Sequence, residues 1–141
     1  MQDIRAGPIY LLSAVLPHLT ILSLIFQGGK LNFFQVSTSV TWCNDAITRI
    51  RDDQVVIADL ESDWHRFAEE LGELGDRDRE STKRMTVAYC NSLLDNLKDR
   101  FPEPEVVSAF IIFDPSYCPE KRKEREIRIL IDRFGDLLDV P

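Results

Sequence analysis

The sequence predicts an all-α fold, an elongated helical bundle with one or more long helices, built as a single domain over residues 1–141. Three observations carry this. Apolar residues recur at alternating three- and four-residue steps through much of the chain, which marks one face of a helix and does not fit a strand over several turns. Neither Pro nor Gly occurs between Lys30 and Leu71, so nothing in that stretch forces a helix to stop. The apolar share of 44% matches an ordinary globular domain, and 141 residues suffice for one sizeable core and no more.

The first helix is expected over residues 9–26, eighteen positions without a formal charge. A bilayer-spanning helix needs about 20 apolar residues, so the length is borderline. The flanking charges of Asp3 and Arg5 balance, and Ser13, Pro17, His18, Thr20 and Ser23 interrupt the run. Leu12, Val15, Leu16, Leu19, Leu22 and Phe26 recur at helical steps. This predicts a buried or partner-covered helix, with a membrane anchor as the alternative. Pro17 removes a backbone donor and is expected to bend or restart the helix, and Gly28-Gly29 to end it.

Residues 32–74 hold the most regular pattern. Phe33, Val36, Val40, Cys43, Ile47 and Ile50 form one seam, and Ile57, Leu60, Trp64, Phe67, Leu71 and Leu74 a second with the same steps. The seam changes phase near Asp52-Asp53-Gln54, which leaves one long helix or two helices in line. The long helix is the expectation; over residues 32–71 it would extend about 60 Å.

Residues 72–84 read as an internal charged connector of mixed sign, with Ser81 as the N-cap of the next helix. Residues 81–100 are amphipathic, with Met85, Tyr89, Leu93 and Leu97 beside Cys90, Leu94 and Phe101, and Pro102 and Pro104 end them. Residues 106–113 are a short apolar run whose periodicity fits strand or helix, and Glu103-Pro104-Glu105 gives it the look of a helix start. Residues 114–119 form a turn. The last helix runs to residue 138 on a face of Ile127, Leu130, Ile131, Phe134, Leu137 and Leu138.

No catalytic or ligand constellation accompanies these helices. Cys43, Cys90, Cys118, His18 and His65 contain no pair at metal-ligand spacing, so neither metal nor cofactor is expected. Three widely spaced Cys fit a reducing compartment rather than a disulfide scaffold. Cys118 lies in a turn with no His near it in sequence, and the carboxylates have no sheet to gather them. Gly-rich phosphate loops are absent. The net charge of −7 opposes whole-surface nucleic-acid binding. One local basic cluster remains, Lys121, Arg122, Lys123 and Arg125 with Arg128, interleaved with Glu120, Glu124 and Glu126. Such alternation marks a solvated helix face, from which nucleic-acid contact would be weak.

Two stretches stand out as motifs. The first is Tyr10-Leu11-Leu12 with Val15 to Gln27 and then Leu31-Asn32-Phe33. The second is Tyr89-Cys90 with Asn96-Leu97-Lys98-Asp99-Arg100-Phe101-Pro102, leading to Ala109-Phe110 and Ile112-Phe113-Asp114-Pro115. Both resemble transposase-derived proteins of the hAT superfamily, over residues 9–115 and on apolar, loosely spaced motifs. The resemblance implies the helical insertion of an RNase-H-like core, and the exit from it. In that family the first two catalytic acids precede the matched part, and no residue here takes the place of the third. None of its catalytic or zinc residues therefore carries over, and the family's dimerisation segment lies outside the match. The resemblance also implies a nuclear location and a domesticated transposon as origin.

The expected function is thus a non-catalytic helical protein-interaction module, with self-association among its contacts and no enzyme activity. The expected interface is the seam of Ile57, Leu60, Trp64, Phe67 and Leu71. One alternative is a DNA-associated nuclear protein using the basic helix 121–133; another is membrane anchoring through residues 9–26.

Overall fold

The computed structural model describes residues 6–28, 33–114 and 120–137. Those residues form helices and turns and contain no strand, so the chain is all-α. In order they are α1 (Ala6–Gln27), α2 (Phe33–Asp52), α3 (Val55–Arg66), the single turn α4 (Ala68–Leu71), α5 (Asp76–Arg100), α6 (Pro104–Ala109) and α7 (Glu120–Phe134). Short 3-10 turns, Phe110–Phe113 and Gly135–Leu137, follow α6 and α7.

The core is one cluster around α2. Val36, Val40, Cys43, Ile47 and Ile50 meet Leu11, Val15 and Leu22 of α1, Val56 of α3, and Cys90 and Leu97 of α5. The buried line of α2 is thus the sequence seam from Val36 onward. On α1 the buried line differs from the expected one: Leu11 is buried, whereas Leu12 and Leu16 are exposed. α1 is apolar on every side, so periodicity alone could not say which side faces inward. Pro17 neither breaks nor restarts α1, which runs through it. Both Pro17 and Ser13, whose carbonyl loses its usual donor, lie on the solvent side, where water can take that place.

The expected long helix over residues 32–71 is not formed. α2 closes with Asp53 N–H donating to the Arg49 carbonyl at 2.8 Å, and α3 opens with Ala58 N–H donating to the Gln54 carbonyl at 3.0 Å. Between them Gln54 takes the left-handed conformation, φ 53° and ψ 34°. The cause is legible in the side chains. Arg51-Asp52-Asp53-Gln54 is a full turn without an apolar residue, and Gln54 falls where an unbroken seam would need one. The break rotates α3 so that Val56, Ile57 and Leu60 all turn inward.

The connector is also shorter than expected, and Ser81 is not an N-cap. α5 begins at Asp76 after Gly75, so residues 76–84 are helical. Asp76 and Asp78 in the first turn suit the positive end of the helix dipole. Ion pairs Arg79–Asp76 and Lys83–Glu80 lie three residues apart on its surface, and Arg79 also reaches Glu61 of α3 at 2.9 Å. What remains of the connector, residues 72–75, turns at Gly72, whose φ of 75° suits glycine.

Pro104 opens α6 in its first turn. Residues 106–113 are therefore helical, α-type and then 3-10. α6 lies on α2, with Ser37 N–H donating to Ser108 Oγ at 3.1 Å. Among the described residues α7 packs only on α6 and the two 3-10 turns. Arg133 donates to Glu103 at 2.7 Å, and the Phe134 ring lies 6.1 Å from that of Phe110. This small platform covers one edge of the apolar face of α7. Glu126 is buried, while Ile127 and Ile131 stay exposed. Residues 115–119 and 138, including the expected turn and Cys118, lie outside the described residues.

Candidate interaction surface

The seam expected as an interface is divided by the fold. Ile57 and Leu60 are buried within the chain, so they are core residues here. Trp64 is half-buried and donates its indole N–H to the Gly72 carbonyl at 2.9 Å, which ties the end of α3 to the connector. Phe67, between α3 and α4, is exposed. The Leu71 side chain lies outside the described residues. Of the basic group, Lys121 and Arg122 have side chains outside the described residues, Lys123 is half-buried and Arg125 exposed. Arg128 pairs with Glu124 at 3.5 Å. His65 is exposed, and His18 is half-buried, edge-on to Trp42 at 5.1 Å.

An uncharged surface that the fold leaves uncovered lies on α1. Ile9, Leu12 and Leu16 follow one another at three- and four-residue steps, Thr20 continues the line, and Ser23 with Leu24 extends it a turn further. All are exposed, so they form one stripe along the helix. Ile9 is 66% exposed, Leu16 49% and Leu24 61%, values usual for surface Lys or Glu rather than for aliphatic side chains. No Asp, Glu, Lys or Arg occurs from Ala6 to Gln27, so α1 contributes no charge to the stripe. At 22 residues α1 is about 33 Å long. It is the one helix among the described residues long and apolar enough to cross a membrane.

One margin of the stripe borders an open cleft of about 490 Å³ between α1 and α3, lined by Ile9, Tyr10, Ser13 and Ala14 and by Asp59, Ser62 and Asp63. The Tyr10 hydroxyl donates to Asp63 at 2.8 Å. That hydrogen bond, helped by burial, pushes the Tyr10 phenol above its ordinary value. A smaller cleft of about 220 Å³ lies where the α2–α3 break meets α5, edged by Arg51, Lys83 and Thr86. Arg51 is already held there by Asp52 and by Asn91, both at 2.8 Å.

Elsewhere the chemistry is sparse. Cys43 and Cys90 are buried free thiols, and burial raises both above the ordinary thiol value, which makes them poor nucleophiles. Among the described residues no group of three or more His, Cys, Asp or Glu is placed so that it could hold a metal ion. No protein-family profile, curated protein or solved structure matches this chain.

Apolar periodicity alone does not reveal the α1 stripe, because it marks one face of the helix and is silent on the others. The available signal was the lack of any charge on the remaining faces. A helix with one face in a core normally carries Lys or Glu on the other, and α1 carries neither.

Proposed function

We propose that this chain is a non-catalytic helical protein-interaction module that works through the outer face of α1. The observation that carries the reading is the uncharged stripe of Ile9, Leu12, Leu16 and Leu24, exposed along the whole helix. Contiguous apolar surface of this extent is costly in water and marks contact surfaces. The hAT resemblance of residues 9–115 adds a proposed origin, the helical insertion of such a transposase, and a nuclear location.

Membrane association is the second reading, favoured by the length and composition of α1. Against it stand Leu11, Val15 and Leu22, which a spanning helix would have to withdraw from the core. The DNA reading is weaker, because Arg128 and Arg133 already hold carboxylates at 3.5 and 2.7 Å.

Photocrosslinking tests the proposal. Benzoylphenylalanine at Leu16 or Leu24 should capture protein, and the same probe at Asp95, exposed on α5, should not. Equal capture at all three positions, or adducts only with lipid, would refute it.

A further inference from the structure

We infer that the occupant of the α1 stripe is a second copy of this chain, with the two α1 helices packed antiparallel about a two-fold axis. The inference rests on the reading of α1 as the contact surface and adds the partner.

The order of residues along the stripe is the first argument. A two-fold contact is self-complementary: if residue i meets residue j, then j meets i. Placing the axis midway between Leu16 and Pro17 makes Ile9 face Leu24 of the second copy and Ser13 face Thr20, with Leu16 beside the axis. Large aliphatic residues meet large aliphatic residues, and hydroxyl meets hydroxyl. Each of these side chains is exposed in the single chain.

Area is the second. The stripe residues Ile9, Leu12, Leu16 and Leu24, 40–66% accessible, present about 400 Å² of apolar surface per chain. Two copies remove about 800 Å² of it, and the interleaved Ser and Thr with the helix backbone bring the total to about 1,000 Å², the size of weak, transient contacts. A contact of this size fits a pairing that depends on concentration.

Charge is the third, and it selects both the partner and the direction. The chain carries a net charge of −7, and α1 itself carries no charge that two copies would bring together. Asp59 and Asp63 stand beside the N-terminal half of α1. Parallel pairing would set the two acidic clefts side by side. Antiparallel pairing moves them about 15 Å apart along the axis, beyond the screening length of about 8 Å at physiological salt. The same carboxylates would be driven against headgroups if the stripe entered a lipid surface.

Sedimentation equilibrium on the full chain, from about 1 to 200 µM, is the test, with circular dichroism on each sample. The expected result is a monomer–dimer equilibrium within that range, weakened more than about tenfold by Leu16→Asp and by Thr20→Arg at unchanged helicity. In a Cys118→Ser background, oxidising a mixture of Ile9→Cys and Leu24→Cys chains should join position 9 to position 24. Disulfides of 9 to 9 and 24 to 24 instead would overturn the antiparallel arrangement. A wild-type chain that stays monomeric at 200 µM would overturn self-pairing. Protein adducts from Leu16 would in that case leave the interaction reading standing, and their absence would end both.

Discussion

Replacing Gln54 by Gly separates the broken helix from a continuous one by the sign of its effect. Gln54 sits at φ 53° and ψ 34° with its side chain exposed. A side chain other than Gly in the left-handed region costs about 1–2 kcal/mol. Gly removes that cost but gives the unfolded chain more freedom to lose, about 0.5–1 kcal/mol. The difference leaves Gln54→Gly more stable than wild type by about 0.5–1 kcal/mol. Had α2 and α3 been one helix, the same change would place Gly in a helix interior and destabilise by about 1 kcal/mol. Urea unfolding followed at 222 nm resolves the two, with an unchanged slope and a midpoint that moves up. Gln54→Val provides the opposite control, because a β-branched residue is poorly tolerated at positive φ and should lower the midpoint. A lower midpoint for Gln54→Gly would refute the break and restore the long helix.

Three further outcomes follow from the packing. A Cβ on Gly7 would lie 2.6 Å from Thr82 Oγ1 and 3.1 Å from its methyl group, and a β-branched neighbour has little room to turn aside. Gly7→Ala should therefore cost about 1–3 kcal/mol in the same urea assay, and a neutral result would mean that α1 and α5 are not so close. The Tyr10 phenol is raised in the folded chain, so its contribution is fully present below the ordinary tyrosine value, about 10, and is lost as pH rises through the higher folded value. Stability should fall more steeply above pH 10 in wild type than in Tyr10→Phe, and identical alkaline profiles would show that the Asp63 hydrogen bond is absent in solution. Cys43 and Cys90 should be alkylated only as fast as the core opens, a rate read by mass spectrometry on digested samples. Rapid native-state labelling of either would contradict its burial.

Much of the fold could be read from residue spacing. The α2 seam, the termination of α5 before Pro102 and the helix start at Pro104 each rest on a local rule that the tertiary structure obeys. The failures share a cause. At Gln54 no Pro or Gly announces the break, because the left-handed residue is one that sequence rules do not associate with it. At Asp76-Arg77-Asp78-Arg79-Glu80 a charged run resembles a loop, yet the same charges pair at helical spacing once the segment lies beside Glu61. The expected interface residues Ile57 and Leu60 turn out to be core residues, since a seam records that a face is apolar and not whether the chain itself will cover it. For α1 the apolar sides were all visible in sequence. Choosing the inward one needed the positions of α2, α3 and α5.

The serial attachment of α7 has a kinetic consequence. α7 touches α6 and its flanking 3-10 turns, and α6 in turn rests on α2. No described contact of α7 bypasses that joint, so its free energy of opening is the local one of the Phe110–Phe134 and Arg133–Glu103 contacts rather than that of the whole domain. Amides of α7 should exchange with solvent hydrogen well before those of α2 and α5. The chain then comes apart in two steps, the limb first and the body afterwards. A ligand that seats on Ile127 and Ile131 would slow exchange in the limb while leaving the melting of the body where it was.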